Sequence, residues 1–510
     1  MKRSVVRWSV TALVLVVLTL AVLPVASDNL IPASGEAKAQ SQPASVGQAA
    51  PKKSDQEDKK LNSFVSRLES DGFSVIEGEF GFFPLLDICL MPGSPVDCVY
   101  LNAASPYLVP FLPDDLGKDL GLPAETSPVW KLRPDEAVVV VGHTPPPLRY
   151  FGIMTYVVKR YFPADEQGDA GYRTYWNNFG EQESHLTIHT AGTPNGAPGD
   201  PWNSLFIYIL TADRTIDARV REAARTAGYA PPIMNTEPMP QSLLRMGNEP
   251  GDDGFAMVWR TAHPENEAEL DAWKADPPLR VFKITPNTEP PQGMSSDPFP
   301  IPGFRARSTG ETEFGLLPAV RELRQAILDT YSGPMMAAEE FISEVDFNFG
   351  GIHCFEWDIN CLGPSMNALY LWNADGIGTL GPDEFVVAYG VNHRLTGMAS
   401  YMSVSMYGMT KHVTNDSVDS AGGDGDQLVG TAADYLPAGH PGVDKLYAYK
   451  FARDCGGETN CFEVPADWPG VKLDEVASLA WRAYLNPTTR TAADPSEVIF
   501  DRAIKFSPMP

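Results

Sequence analysis

Residues 134–142 read PDEAVVVVG, and residues 382–390 read PDEFVVAYG. Six of these nine positions are identical, at an offset of 248 residues. A charged turn followed by an apolar run and a glycine is typical of a turn that leads into a buried β-strand. The sequence therefore predicts two copies of one strand-forming unit, and the remaining sequence is interpreted from this duplication.

The match between the two copies continues downstream in the same order. Arg149, Gly152 and Tyr156 match Arg394, Gly397 and Tyr401 if copy two lacks three residues of the preceding turn. Later matches have smaller offsets, first 225 and then 222: Asn235 with Asn460, Pro240 with Pro465, Trp259 with Trp481, Arg260 with Arg482, Arg280 with Arg502, Lys283 with Lys505 and Pro286 with Pro508. Colinear matches with shrinking offsets indicate gene duplication followed by loss of loop residues.

The periodicity of the copies predicts an α+β fold. In copy one, residues 205–210 alternate like a strand, and residues 213–227 have apolar residues at helical spacing, ended by Gly228. In copy two, only nine residues join the matching strand at 446–451 to Asn460. A parallel connection usually needs a dozen or more residues, so these neighbouring strands are predicted to be antiparallel.

Between the copies, residues 316–331 carry the pattern of an amphipathic helix, expected to link the copies and to pack across both. The predicted fold is a mostly antiparallel sheet in two related halves about a pseudo-twofold axis. A duplicated ferredoxin-like arrangement and an α+β barrel are two forms that such a fold can take.

The N-terminus predicts export. Residues 1–27 combine a basic start with an uncharged apolar run, the pattern of a signal peptide or an N-terminal anchor. Since positive charges stay in the cytoplasm, the body of the protein is expected to be extracytoplasmic, either secreted or periplasmic. Residues 28–58 predict a disordered linker. The rest divides into a first repeat with an N-terminal extension, a connecting helical segment and a second repeat, at 59–286, 287–352 and 353–510.

The six cysteines form three close pairs: Cys89 with Cys98, Cys354 with Cys361, and Cys455 with Cys461. An even count, local spacing and export together predict three disulfides. None of the pairs has the two-residue spacing of a zinc or redox motif, and no metal site is predicted. The sequence assigns no cofactor.

The net charge of −26 makes this an acidic protein. Nucleic acids and anionic membrane surfaces repel such a protein, so neither is expected as a partner, apart from a membrane contact through an N-terminal anchor. The expected partner is a small molecule.

Residues that differ between the copies are the better candidates for a site, because duplication preserves a scaffold and lets sites diverge. His143 and His393 follow the first shared strand of each copy. If these turns meet between the halves, the histidines would transfer protons and nearby arginines would hold an anionic group. The predicted substrate-binding residues are Arg149, Arg394, Tyr156 and Tyr401. The alternative is a pair of unrelated turn histidines.

Glu356 lies in the densest polar cluster of the chain, beside His353, Cys354 and Asp358. Because Cys354 is predicted to be bridged, it is not a nucleophile, but Glu356 and His353 could serve as general acid and base. The alternative is a surface loop held by a disulfide.

These patterns favour an exported enzyme that acts on a small molecule in a cleft between two duplicated halves. The chain has no Gly-x-Ser-x-Gly, His-Glu-x-x-His or phosphate-loop motif, so a hydrolase is favoured only because hydrolases are common. A non-catalytic extracytoplasmic ligand-binding protein is the alternative, and a structural surface protein without a pocket is a third class. A histidine of shifted pKa in a cleft would favour the enzyme, and an aromatic groove without titratable groups would favour binding.

Overall fold

The computed structural model describes residues 55–82, 101–102, 105, 107–113, 126–164, 170–288, 297–331, 333, 336–345, 351–414 and 416–509. The predicted signal segment, most of the predicted linker and the Cys89–Cys98 pair lie outside these residues.

The described chain is a mixed α+β structure built mostly from strands. Its helices are α1 (Asp55–Ser70), α2 (Arg214–Thr226), α3 (Glu267–Ala275), α4 (Leu317–Tyr331) and α5 (His353–Trp357). We call the described residues from 55 to 288 the first half and those from 317 onward the second half.

The first half has the strands β1 (Phe73–Phe82), β2 (Tyr107–Phe111), β3 (Ala137–His143), β4 (Leu148–Phe162), β5 (Gly171–Asn178), β6 (Glu183–Ser184), β7 (Leu205–Thr211), β8 (Met234–Pro238), β9 (Gly254–Pro264) and β10 (Leu279–Pro286). The second half has the strands β11 (Met336–Ile342), β12 (Glu344–Val345), β13 (Ala368–Trp372), β14 (Phe385–Val391), β15 (Tyr401–Gly408), β16 (Val418–Ser420), β17 (Leu446–Ala452), β18 (Cys461–Glu463), β19 (Ala477–Tyr484) and β20 (Arg502–Pro508).

The repeated sequence motif forms strand β3 in the first half and β14 in the second. Both strands are central in their sheets and buried on both faces, which explains an unbroken apolar run instead of an alternating one. Val138 and Val140 face one core, while Val139 and Val141 pack with helices α1 and α2 on the opposite face.

The predicted helix at 213–227 is confirmed as α2. Asp213 caps its first turn by accepting hydrogen bonds from the backbone N–H groups of Thr215 and Ile216. Gly228 follows the helix with φ of +93°, the left-handed conformation that glycine adopts without a Cβ clash.

The predicted helix between the copies is confirmed as α4, but it packs differently from the expectation. Its buried residues Val320, Leu323 and Ile327 join Val387 and Tyr389 of β14 in one core of the second half. The helix therefore covers a sheet of the second half instead of lying across both copies.

The two halves have the same strand order. In the first half, β1-β10-β3-β7-β8 are adjacent, and in the second half β11-β20-β14-β17-β18 are adjacent. The remaining strands follow as β5-β4-β9-β2 and β16-β15-β19-β13. One difference is that β1 pairs with both β10 and β2 and joins them into one sheet, whereas the second half divides the corresponding strand into β11 and β12.

An ion pair of the motif recurs at the corresponding place. Lys283 Nζ lies 3.5 Å from Glu136 Oε2 in the first half, and Lys505 Nζ lies 3.1 Å from Glu384 Oε2 in the second. Each carboxylate also accepts a hydrogen bond from a hydroxyl two residues beyond its lysine, Thr285 or Ser507. The Glu residue of the motif thus fixes the same turn in both halves.

The register corrects one predicted match. Gly152 of β4 lies opposite Arg260, and Ser403 of β15 lies opposite Arg482, so Tyr156 corresponds to Tyr407. The match of Tyr156 with Tyr401 is wrong because the turn before β15, residues 392–400, is longer than the turn 144–147 before β4.

The antiparallel arrangement predicted after β7 and β17 is also wrong, although most other pairs are antiparallel. Strands β8 and β18 run parallel to β7 and β17. Strand β18 pairs only with residues 450–452, which are the last three residues of β17. After β17 ends, the chain therefore runs back along that strand by only about two residues, roughly 7 Å, before β18 begins to pair. The short link of copy two covers this distance without a helix.

The halves contact each other through the faces of their sheets that contain Tyr156 and Tyr407. Tyr156 OH donates a hydrogen bond to the carbonyl of Pro364 in the second half, and Tyr407 OH donates one to the carbonyl of Leu101 in the first half. Each donor–acceptor distance is 3.0 Å. Each half thus extends a loop across the interface to a tyrosine of the other.

The two disulfides within the described residues confirm the predictions Cys354–Cys361 and Cys455–Cys461. Because disulfides persist in oxidising compartments, they indicate an extracytoplasmic environment. None of the helices in the described residues is long and apolar enough to cross a membrane.

Candidate functional site

A pocket of about 320 Å³ opens where the segment before α4 meets α5. This is at the lower end of the range for small-molecule sites. Its lining combines cationic, apolar and acidic side chains: Phe304, Arg305, Arg307, Gly351, Ile352, His353, Met366 and Asp494. Three of these residues can carry a positive charge, which is notable in a protein of net charge −26.

Arg305 is held at the pocket by the first half. Glu181 accepts a hydrogen bond from the Arg305 backbone N–H at 2.5 Å and another from Nη1 at 3.1 Å. Burial raises the pKa of Glu181, against the lowering effect of Arg305 and Arg307. These contacts fix the backbone of the segment and aim one cationic side chain at the pocket.

Arg307 lines the pocket two residues further along the chain. Burial lowers the pKa of Arg307 to about 10, and the carboxylates of Glu181 and Asp494 only partly oppose this effect. Its Nη2 lies 3.5 Å from the Met366 sulfur, a weak acceptor. An anion in the pocket would therefore gain from this guanidinium more than from an exposed one.

His353 forms part of the pocket wall at the start of α5. Its Nδ1 lies 2.6 Å from Glu356 Oε2, one helical turn away, and its ring stacks on Trp357 with centroids 5.7 Å apart. The Cys354–Cys361 disulfide holds this short helix in place. The predicted acid–base pair is thus a hydrogen-bonded pair beside a pocket.

His143 lies at the end of β3, where its Nε2 is 3.4 Å from Glu57 Oε1 of α1. Burial lowers the pKa of His143, and Glu57 partly opposes this change. The described ion pair of His143 is with α1, and His143 is not among the residues that line the pocket.

His393 lies in the core of the second half. Its Nδ1 is 2.9 Å from Glu313 Oε1, and its Nε2 is 3.2 Å from Asp501 Oδ2. Although burial favours the neutral ring, the two carboxylates together raise the pKa of His393 well above its ordinary value. His143 and His393 contact different elements, so a ligand shared between them remains a prediction without support from these contacts.

Three of the other predicted residues lie at β16 and the loop that follows it. Arg394 donates to Asp426 at 2.7 Å, and Tyr401 OH donates to Asp419 at 3.1 Å. Arg149 lies so close to Gly422 that a Cβ there would be 3.2 Å from its guanidinium. This cluster joins both halves, but its cations are close to acidic residues and loop backbone of the chain itself.

Tyr156 is buried between the halves, where its hydroxyl donates a hydrogen bond to the carbonyl of Pro364.

Among the residues that the structure describes, no group of three or more His, Cys, Asp or Glu is placed to hold a metal ion.

Sequence reasoning did not identify Arg305 and Arg307. They follow a proline-rich stretch in a segment interpreted only as a connection between the copies. Two arginines separated by one residue in an acidic chain were the available signal. Their common pocket depends on Met366 and Asp494, which only tertiary packing brings near them.

No protein-family model and no curated protein sequence matches this chain. Among solved structures, an uncharacterised protein from Burkholderia cenocepacia is similar at 11% identity and a TM-score of 0.36, covering 88% of this chain and 87% of that one. The VPA0106 protein from Vibrio parahaemolyticus is similar at 10% identity and a TM-score of 0.33, covering 89% of this chain and 100% of that one.

Proposed function

We propose that this protein is exported and binds a small anionic molecule in the pocket of Arg305, Arg307 and His353. The observation that carries the proposal is the convergence of Arg305, Arg307 and His353 on one pocket of an acidic protein. Arginine forks match planar carboxylate and tetrahedral oxyanion groups and bind them through charge-assisted hydrogen bonds.

The ligand proposed for this pocket also carries an apolar part. Phe304, Ile352 and Met366 line the pocket beside the cations. A purely inorganic ion would leave these side chains without a partner. The proposed class is therefore a small organic acid or a small phosphate or sulfate ester.

A second candidate function is catalysis on the same ligand, favoured by the pairing of His353 with Glu356. A carboxylate at Nδ1 orients the imidazole and leaves Nε2 to accept or donate a proton. In this role the arginines position the anionic group and His353 transfers a proton at a neighbouring atom. A hydrolase remains one such reaction class.

We infer that the two halves arose by duplication and meet about a pseudo-twofold axis. The corresponding strand orders and the recurring Glu–Lys pair support this inference. The reciprocal bonds of Tyr156 and Tyr407 are what a symmetric, isologous interface produces. The pocket residues Arg305 and Arg307 lie in the segment that joins the two halves. An ancestral dimer of two separate chains would have had no such segment.

We expect neither nucleic acid nor an anionic membrane surface as a partner, because the net charge of −26 disfavours both. Export remains a proposal that the disulfides support.

The experiment is untargeted metabolite profiling of the purified full chain. Wild type, Arg307→Met and the control Arg225→Met are each incubated with a metabolite extract, and the retained and consumed compounds are measured. Arg225 is an exposed residue paired with Glu222, far in sequence from the pocket.

Retention of anionic compounds by wild type and Arg225→Met, and not by Arg307→Met, is the expected result. Retention of neutral or cationic compounds alone, or equal retention by all three proteins, would overturn the proposal. Consumption of a compound that stops in His353→Gln while binding persists would establish the catalytic candidate.

A further inference from the structure

The pocket of Arg305, Arg307 and His353 also contains one carboxylate. Asp494, a half-buried residue of the turn that precedes β20, lines the pocket together with the two arginines. A carboxylate repels an anion that the arginines attract, so a pocket for a simple acid would bind more tightly without it. The presence of Asp494 indicates a ligand that carries positive charge as well as negative charge.

One oxygen of Asp494 holds its own turn, and the other has no partner. Asp494 Oδ1 accepts hydrogen bonds from the Ser496 backbone N–H at 2.9 Å and from the Ser496 hydroxyl at 2.6 Å. Within the described residues, Oδ2 accepts no hydrogen bond and Asp494 is in no ion pair. Arg307 interacts with Asp494 electrostatically, without an ion pair. Asp494 therefore offers a carboxylate oxygen to a donor group in the pocket.

The turn of Asp494 also fixes the position of the positive charges. Glu497, 3% exposed, accepts hydrogen bonds from the backbone N–H groups of Thr309 at 2.9 Å and Gly310 at 2.7 Å. These two residues lie just after Arg307 in the chain. The Glu497 backbone N–H in turn donates to the Asp494 carbonyl. One turn thus holds both the carboxylate and the segment of Arg307, and this pre-organisation lowers the entropy cost of binding a ligand with two opposite charges.

We propose that the ligand of this pocket carries a protonated amine in addition to its anionic groups, and that Asp494 binds this amine. The inference rests on the proposed function, the binding of an anion by Arg305 and Arg307. An ammonium group donates charge-assisted hydrogen bonds to a carboxylate. Two arginines and one carboxylate complement two negative charges and one positive charge, so the ligand remains a net anion. The class is a dicarboxylic amino acid or an aminoalkyl phosphate, with its carbon chain against Phe304 and Met366.

The test compares pairs of compounds that differ only by an amino group. The pairs are glutamate with glutarate, 2-aminoadipate with adipate, and 2-aminoethyl phosphate with ethyl phosphate. Binding of each compound to the full chain is measured by isothermal titration calorimetry at about pH 7, where the amines are protonated. The carboxylate and phosphate pairs together distinguish the two sources of the anionic group.

The main variant is Asp494→Asn, in which the side-chain oxygen can still accept the hydrogen bonds of Ser496. Its matched control is Asp454→Asn, because Asp454 is an exposed residue that also accepts a hydrogen bond from a backbone N–H two residues further on, that of Gly456. Arg307→Met tests the anion pocket itself.

Wild type should bind the aminated member of at least one pair about 10- to 100-fold more tightly than the amine-free member, the effect of one charged hydrogen bond. Asp494→Asn should abolish this preference. Because the substitution removes a negative charge from the pocket, it should also bind the amine-free acid at least as tightly as wild type, which damage to the fold would not produce. Asp454→Asn should behave as wild type, and Arg307→Met should bind neither member.

Binding of the amine-free members as tightly as the aminated ones by wild type, and by Arg307→Met not at all, would overturn the inference and leave the anion pocket in place. An unchanged preference for the amine in Asp494→Asn would also overturn it. If wild type binds none of these compounds, the proposed function fails and the inference fails with it.

A variant that does not fold leaves the wild type to decide. A crystal of the wild type with the tightest aminated compound should place the amine nitrogen within about 3.2 Å of an Asp494 oxygen. An amine that points away from Asp494 would overturn the inference.

Discussion

Replacing His393 by Gln tests the buried charge network of the second half. The imidazole, 1% exposed, lies between the carboxylates of Glu313 and Asp501, whose side chains are fully buried. Gln fills a similar volume but carries no charge, so both carboxylates lose their cationic partner. Removing one partner of a buried ion pair costs about 3–5 kcal/mol, and we expect a loss in this range near pH 6.

The loss should depend on pH in a defined direction. The pKa of His393 in the folded protein is raised above the unfolded value of about 6.5. Its contribution is therefore complete below about pH 6.5, decreases as pH rises above that value, and is lost once pH has passed the folded pKa. Above about pH 6.5, wild type should lose roughly 1.4 kcal/mol per pH unit relative to His393→Gln, until the folded imidazole titrates.

Other groups around His393 act in a different pH range. Burial alone would raise the pKa of Glu313, but the neighbouring charge of His393 lowers it below its ordinary value. The contribution of Glu313 to stability is therefore lost only as pH falls below about 4.5. Tyr447, which donates to Asp501, has a pKa raised well above 10 by burial and by that carboxylate. Neither group titrates in the folded protein between about pH 6.5 and 8.5.

The assay is urea denaturation at several pH values, with His440→Gln as the matched control. His440 pairs with Glu322, whose side chain is 62% exposed, so this change should cost under about 1 kcal/mol. A difference between wild type and His393→Gln that stays constant from about pH 6.5 to 8.5 would refute a charged, buried His393.

Three other changes test separate parts of the fold. Burial raises the pKa of the Glu237 carboxyl to about 7, so folding is weakened once this group must ionise. Glu237→Gln should therefore leave the free energy of unfolding nearly unchanged near pH 4 and increase it by up to about 3 kcal/mol near pH 8. A loss of stability at both pH values in thermal melts would contradict this. Replacing Cys455 and Cys461 by Ser should cost about 2 kcal/mol, the loop entropy of a short bridge, and identical denaturation curves would show that the bridge is dispensable. Lys283→Met should destabilise more than Lys505→Met in urea titrations, since its carboxylate partner is 2% exposed in the first half and 21% exposed in the second. Equal losses would contradict that difference in burial.

Local features of the fold were predictable from sequence because neighbouring residues determine them. The strand of Val138 and Val140, the helix capped by Asp213 and the Cys455–Cys461 bridge depend on periodicity, capping and short spacing. The match of Tyr156 with Tyr401 was wrong because it assumed that the turn before β15 is shorter than the turn before β4. Sequence specifies turn length only weakly, because each added loop residue changes the loop-closure entropy little.

The candidate site was predictable only in its local part. His353 and Glu356 are three residues apart, so one helical turn brings them together and sequence spacing reveals the pair. Arg307 and Asp494 come together only after the second half has folded. Single-sequence patterns carry no information about such a long-range contact.

The central claim is that the pocket of Arg305, Arg307 and His353 binds an anionic small molecule. The most direct measurement is a crystal structure of the full chain with the compound that wild type retains in metabolite profiling. We expect an anionic group about 3 Å from a guanidinium nitrogen of Arg305 or Arg307, with the rest of the compound against His353. A compound bound elsewhere on the protein, or one whose uncharged end contacts the arginines, would contradict the claim.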